Sequence, residues 1–317
     1  GGNIATNAGG PRCLKYGVTR QYVLGLEVAL ADGSLIRVGG RTLKNKTGYD
    51  LVGLFVGSEG TLGVTTQATL RLLPHPPARA VLSAVFPDAR AAGAAAMAVF
   101  ARGVLPSALE IADRFTLDAA RRHCGPSILP PGDAHMLLQF DGLPESVAAE
   151  CRAARQALET SGATSVESAE DEARCEQLWQ VRREFSPSLK ATGLKKLNED
   201  IVVPRGRIAD LFAFAEALQR KHGLAIACFG HAGDGNIHTN VMYDPTDGRS
   251  AAKTDRVLDA IFAQVLAWGG AITGEHGIGL AKKRWWPSAL SPRVRRLHAA
   301  IKAALDPGAV LNPGKFV

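Results

Sequence analysis

The segment Pro74-His75-Pro76-Pro77 constrains the fold most, because neither a helix nor a central strand runs through three prolines in four positions. It marks a domain boundary. Before it the pattern has period two. In YVLGLEVALADGSLIRV, residues 22–38, Leu24, Leu26, Val28 and Leu30 alternate with other residues, the chain turns at Asp32-Gly33, and the pattern resumes. This spacing predicts a β-hairpin. GTLGVTTQATLRLLP, residues 60–74, predicts a further strand. After the prolines, strands are expected at 79–86, 107–112, 135–140 and 197–204, and helices at 88–102, 145–161, 170–190 and 208–222. LAIACFG and NVMY read as two strands of a hairpin, and Val294, Leu297, Ile301 and Leu305 recur at helical spacing. The fold class is α+β, with a mainly antiparallel sheet.

Composition removes several function classes. The chain has 317 residues, 46% of them hydrophobic, enough for one large or two ordinary domains. The alanine-rich run 91–100 is shorter than the roughly 18 apolar residues that a membrane helix needs. Five widely spaced cysteines, an odd number with no two-residue pair, favour reduced thiols in a cytoplasmic setting. The net charge of +7 comes from scattered Lys and Arg, apart from Lys282-Lys283-Arg284 and Arg293 to Arg296. Without one basic stripe or an aromatic-rich module, nucleic-acid binding is not expected. KKRWW, residues 282–286, reads as a solvated helix end rather than a lipid contact. The chain starts at Gly1 inside a glycine-rich segment and has no leader, so it reads as a piece of a longer protein.

CFGHAGDGNIHTN, residues 228–240, holds two histidines at the ends of a small-residue loop. Gly233 and Gly235 permit a tight reversal that brings His231 and His238 together, which makes half of a zinc or manganese site. The other reading is a set of polar turn residues bonding the backbone. TGEHGIG, residues 273–279, offers Glu275 as a third ligand beside His276, or else a helix entry with Glu275 in its first turn. Two histidines and a carboxylate leave an open coordination position, as catalytic zinc sites do. An anionic substrate there calls for a cation. Arg182 and Arg183 lie on one helix about 100° apart, so only one faces a pocket, and Lys195 and Lys196 precede a strand.

GGNIATNAGG, KYGVTRQYVLGLEVALADG, KTGYDLVGLFVGSEGTLGVTTQATLRLLP, GHAGDGNIH, GEHGIG and LDPGAVLNPGKFV together resemble the FAD-linked oxidases of the vanillyl-alcohol-oxidase type. The branch they look most like contains D-lactate dehydrogenases, D-2-hydroxyglutarate dehydrogenases and the flavin subunit of glycolate oxidase. The resemblance covers nearly the whole chain in order. It implies that residues 1–75 are the later half of an FAD-binding domain, 76–290 a substrate or cap domain with a metal site, and 291–317 a helix and tail returning to the FAD domain. The family's N-terminal half of the FAD domain is absent, so only part of the flavin cradle is expected.

Residue by residue, the resemblance implies that Gly2, Ile4, Ala5, Thr6, Asn7, Gly9 and Gly10 lie along the flavin. A strand region with Gly57, Ser58, Glu59, Gly60, Gly63 and Val64 holds the adenine and pyrophosphate side, and Asn312 returns to the ring. His231, His238 and Glu275 match ligands of a divalent metal, usually zinc. His276 matches the catalytic base, with Asn240 a further pocket residue. Arg182 matches the arginine that holds the substrate carboxylate, and Ser186 an assisting hydroxyl. The substrate lysine falls among Lys195, Lys196 and Asn198, with Lys196 carried forward. The activity so implied is oxidation of a 2-hydroxy acid by FAD. Electrons would pass to a quinone, cytochrome, electron-transfer flavoprotein or iron-sulfur subunit. A homodimer and a peripheral place at the inner face of a membrane are compatible with this reading. Two other classes compete: a metal-dependent hydrolase, and a non-catalytic subunit that keeps the fold.

Overall fold

The computed structural model describes residues 1–248 and 250–317. The chain forms two compact units, one of Gly1–Gly10, Gly17–Pro74 and Ile272–Val317, the other of Pro11–Tyr16 and His75–Ala271. It enters the first unit with helix α1 (Gly2–Thr6), leaves it for the short helix α2 (Cys13–Tyr16), and returns for β1 (Val23–Ala29), β2 (Leu35–Gly39), α3 (Leu51–Phe55) and β3 (Val64–Leu70). These strands form an antiparallel sheet of order β2-β1-β3. Its period-two residues Leu26 and Val28 are buried with Val38, Phe55 and Val56, as the hairpin pattern predicts.

The second unit continues with β4 (Ala78–Phe86), α4 (Ala89–Ala101), β5 (Ala108–Ala112), α5 (Arg114–Cys124), β6 (Ala134–Gly142), α6 (Pro144–Thr160), β7 (Ser165–Ala169) and α7 (Glu172–Lys190). Then come β8 (Lys195–Val202), α8 (Ile208–His222), β9 (Ala225–His231), β10 (Asn236–Tyr243) and α9 (Ser250–Ala267). Seven strands line up as β7-β4-β6-β5-β9-β10-β8, with antiparallel pairing throughout. The run LLQF in β6 is apolar on both faces except for Gln139 because helices cover both faces. α5 and α7 bury Leu117, Ala120, Phe185 and Leu189 against Ala112, Ala227, Phe229 and Met242 on one face. α4, α6, α8 and α9 pack along the other. Asp88, Asp113 and Asp171 start α4, α5 and α7 by accepting a backbone N–H three residues on.

The chain ends in the first unit with α10 (Trp286–Ala289) and α11 (Pro292–Leu305), whose Ile301 and Leu305 pack on that unit's core. Two features differ from the sequence-based division. Residues 272–290 group with the first unit, because the Glu59 carboxylate accepts the backbone N–H groups of Ile278 and Gly279 at 2.7 and 2.8 Å. Residues 11–16 group with the second, where Lys15 and Tyr16 bond Asp141. Among the described residues no helix is long and apolar enough to cross a membrane, and all five cysteines are free.

Candidate metal and substrate site

The histidine pair sits on a tight hairpin. β9 and β10 pair in register from Asn236↔His231 to Met242↔Ala225, joined by the four residues 232–235. Residues opposite each other share a face and alternate residues return to it. His231 and His238, opposite Asn236 and Phe229, therefore project to the same side, and their ring centroids stand 5.5 Å apart at 80°. The expected loop is thus shorter than 228–240, and both histidines are strand residues. This face is the one that α5 and α7 cover.

A residue that the motifs do not reveal organises the centre. Glu110 of β5 lies directly opposite His231 across the β5–β9 ladder and is 1% exposed. Its Oε1 meets His231 Nδ1 at 2.5 Å, and its Oε2 accepts from Arg182 Nε at 2.6 Å. Burial acts to raise the Glu110 pKa, but the positive groups of His231 and Arg182 overcome it and hold it at about 2. The signal for Glu110 in the sequence is one carboxylate in the apolar strand ALEIA. A buried charge of that kind needs a cationic partner.

Arg182 also stacks over Phe229, its guanidinium 4.7 Å from the ring centroid. Its side chain is 13% exposed, whereas that of Arg183 is 47% exposed and paired with Glu176. The one-faced expectation for this arginine pair therefore resolves to Arg182. One turn along α7, Ser186 Oγ accepts from Lys196 Nζ at 2.7 Å. Burial and the nearby Lys190 lower the Lys196 pKa. Lys195 is exposed over Tyr243, and Asn198 is exposed. Among the three lysine-position candidates, Lys196 is the one joined to Ser186.

Asn240 follows His238 on the same face, and its Nδ2 donates to the carbonyls of Ala227 and His238. Its Oδ1 is buried without a hydrogen-bond partner among the described residues. An orphan acceptor beside two imidazoles suits a site built for a bound group. The donor set of this unit, two imidazoles with a carboxylate behind one of them, fits a divalent metal of zinc type. His135 lies on the same face with its ring edge-on to Phe185. Burial first, then the charges of Arg182 and Arg121, bring its pKa down to about 3, so it is a neutral partner of Ser83.

In the first unit, the residues expected along a flavin meet one another. Ile4 and Ala5 carbonyls accept the N–H groups of Gly57 and Glu59 at 2.8 and 2.7 Å. The Asn312 side chain bonds the Glu59 carbonyl. Asn7, Glu59 and Asn312 take positive φ, at 50°, 54° and 45°. No atom stands within 4 Å of where a Cβ would lie on Gly2 or Gly10. Residues 57–63 form a loop rather than the expected strand, which begins at Val64. Gly63 packs against Val28, and the Glu59 carboxylate is occupied by the 278–279 backbone. Glu275 and His276 stand in the bend that precedes that anchor. No helix follows directly, since α10 starts only at Trp286.

Comparison with known proteins identifies the family. Residues 75–316 match the family described as FAD linked oxidases, C-terminal domain, and residues 1–39 match an FAD binding domain. Over 316 residues the chain is 37% identical to the glycolate oxidase subunit GlcD of Bacillus subtilis, covering 100% of this chain and 67% of that protein. It is 36% identical to GlcD of Escherichia coli (strain K12), again over all of this chain but 63% of that protein. Over 318 residues it is 38% identical to a D-lactate dehydrogenase of Archaeoglobus fulgidus, covering 69% of that enzyme. The chain thus spans about two thirds of the curated relatives it matches. Its fold is shared with a 4-ethylphenol oxidase from Gulosibacter chungangensis, with a TM-score of 0.70, 20% identity and coverage of 93% of this chain and 65% of that one. The chain belongs to the FAD-linked oxidases.

Proposed function

We propose that this chain is the substrate-handling part of an FAD-dependent dehydrogenase that oxidises a small 2-hydroxy acid to its 2-oxo acid. The observation that carries the proposal is the placing of the Arg182 guanidinium and the paired imidazoles of His231 and His238 on one sheet face, through the shared carboxylate of Glu110. With Nε committed to Glu110, the Nη groups of Arg182 are the donors for a substrate carboxylate. Ser186 and Lys196 supply a second polar anchor. His231 and His238 hold a divalent metal, and Glu275 is proposed as its third ligand. A metal held there would supply Lewis-acid polarisation of the substrate hydroxyl, and FAD would supply a hydride acceptor for the α-carbon. His276 takes the hydroxyl proton as the general base. Ile4 to Asn7, Gly57 to Gly60 and Asn312 form part of the flavin cradle. An electron acceptor completes the cycle.

The names of the relatives, glycolate oxidase subunit and D-lactate dehydrogenase, support the substrate class. The hydrolase reading makes no use of an FAD-linked family fold. The test uses the full-length protein under anaerobic conditions, with flavin absorbance followed on adding glycolate, D-lactate and D-2-hydroxyglutarate. Bleaching by one of them, abolished by metal removal and in His231→Ala, is expected. A yellow protein that none of the three reduces would overturn the substrate class. A colourless one would restore the hydrolase or subunit reading.

A further inference from the structure

We propose that Glu110 is a positioning residue that ties the metal ligand His231 to the substrate-binding Arg182, so that metal affinity and carboxylate affinity depend on one buried side chain. This inference rests on the function proposed above. Glu110 stands on β5 at the register position opposite His231 and is all but inaccessible. Its two oxygens are divided between two partners on different elements: Oε1 goes to His231 Nδ1 on β9 and Oε2 to Arg182 Nε on α7. A carboxylate that accepts from Nδ1–H fixes the tautomer in which Nε2 carries the lone pair, and a histidine ligand needs that lone pair. The same carboxylate fixes the guanidinium plane. Rotation of Arg182 is further limited by the rings of Phe229 and Phe185, whose centroids lie 4.7 and 5.8 Å from its guanidinium carbon.

A purely structural role explains this arrangement poorly. A buried carboxylate held between a guanidinium and an imidazole rarely stabilises more than apolar groups of similar volume would. Glutamine at position 110 is the discriminating change, because it keeps the volume but has one acceptor and one donor. If its oxygen faces His231, its NH2 confronts Arg182 Nε–H. If it is flipped, its NH2 donates to Nδ1 and forces the proton onto Nε2, which disables that ligand. Either way one of the two functions is lost.

The experiment takes the full-length protein, titrates zinc into metal-free wild type, Glu110→Gln and His231→Ala against a chelator, and measures the affinity of zinc-loaded protein for oxalate by perturbation of the flavin spectrum. The expected result is a 10- to 100-fold weakening in Glu110→Gln of zinc affinity, of oxalate affinity, or of both, with KM raised more than kcat falls where the arginine contact is the one lost. Zinc and oxalate affinities both within about twofold of wild type would overturn the inference and leave the proposed function standing. Zinc affinity that is the same in wild type and His231→Ala would overturn the metal reading and this inference together. Should Glu110→Gln fail to fold, Glu110→Asp enters the same titrations. It is one methylene short of spanning both partners, and the same losses are expected.

Discussion

Asp113 performs two backbone tasks at an electrostatic cost. Its carboxylate caps α5 through Thr116 N at 2.9 Å and takes Cys228 N of β9 at 2.8 Å. Burial raises its pKa to about 6, and the hydrogen bonds from Thr116 and Cys228 offset only part of that rise. Between about pH 4 and 6 the folded protein therefore holds a proton that the unfolded chain has released, and stability from this group falls as pH rises through that window. Asp113→Asn keeps an acceptor for the cap and removes the titration. Denaturant unfolding at pH 4, 5, 6 and 7 should show the variant gaining on wild type as pH increases. Parallel curves would refute the assignment. Single residues of this kind are the least legible part of the chain. Glu110 looks like an isolated charge in an apolar strand and Asp113 like an ordinary helix cap, and only strand register discloses what else they face.

At the scale of elements, legibility follows periodicity and caps. α4, α6, α7 and α8 match the expected spans to within a few residues, because each shows a helical apolar stripe and most begin at Asp or Pro. α5 is masked by Arg114, Asp118, Arg121 and Arg122, and β7 is a five-residue strand at the sheet edge beside β4. α9 carries a signal in Val257, Ile261 and Val265 that the sequence reading does not use. The β9–β10 hairpin is the element on which the site depends most, and its turn relies on one glycine. Gly235 has φ of +86°, and a Cβ there would stand 2.0 Å from the Val203 carbonyl oxygen. Gly235→Ala should therefore cost about 1–3 kcal/mol and move His231 relative to His238. Thermal unfolding measured together with zinc content tests this. A variant with unchanged Tm and full zinc would show that the turn does not set the pair.

For the whole molecule, the chain passes between its two units four times, after Gly10, Tyr16, Pro74 and Ala271. PHPP marks the third crossing plainly, whereas the excursion of residues 11–16 leaves no signature in periodicity because it lasts one helical turn. Leu14 packs on Gly233, and the remaining attachment is polar. Asp141, with a side chain 5% exposed, receives Lys15 Nζ and Tyr16 Oη, each at 2.7 Å. Burial works to raise the Asp141 pKa, but the bonds from Lys15 and Tyr16 bring it below the ordinary value. Stability from this pairing is thus present above the unfolded carboxylate pKa and is lost as pH falls below it through the lower folded value. Lys15→Met leaves the buried carboxylate without its cation, at a cost of about 1–3 kcal/mol near pH 7. That corresponds to roughly 2–4 °C of Tm per kcal/mol for a unit of this size. Adding Asp141→Asn removes the stranded charge, so the double variant should recover part of the loss. Unfolding energies of the two singles and the double form a cycle, and if the two losses simply add, the ion pair is not what holds residues 11–16 in place.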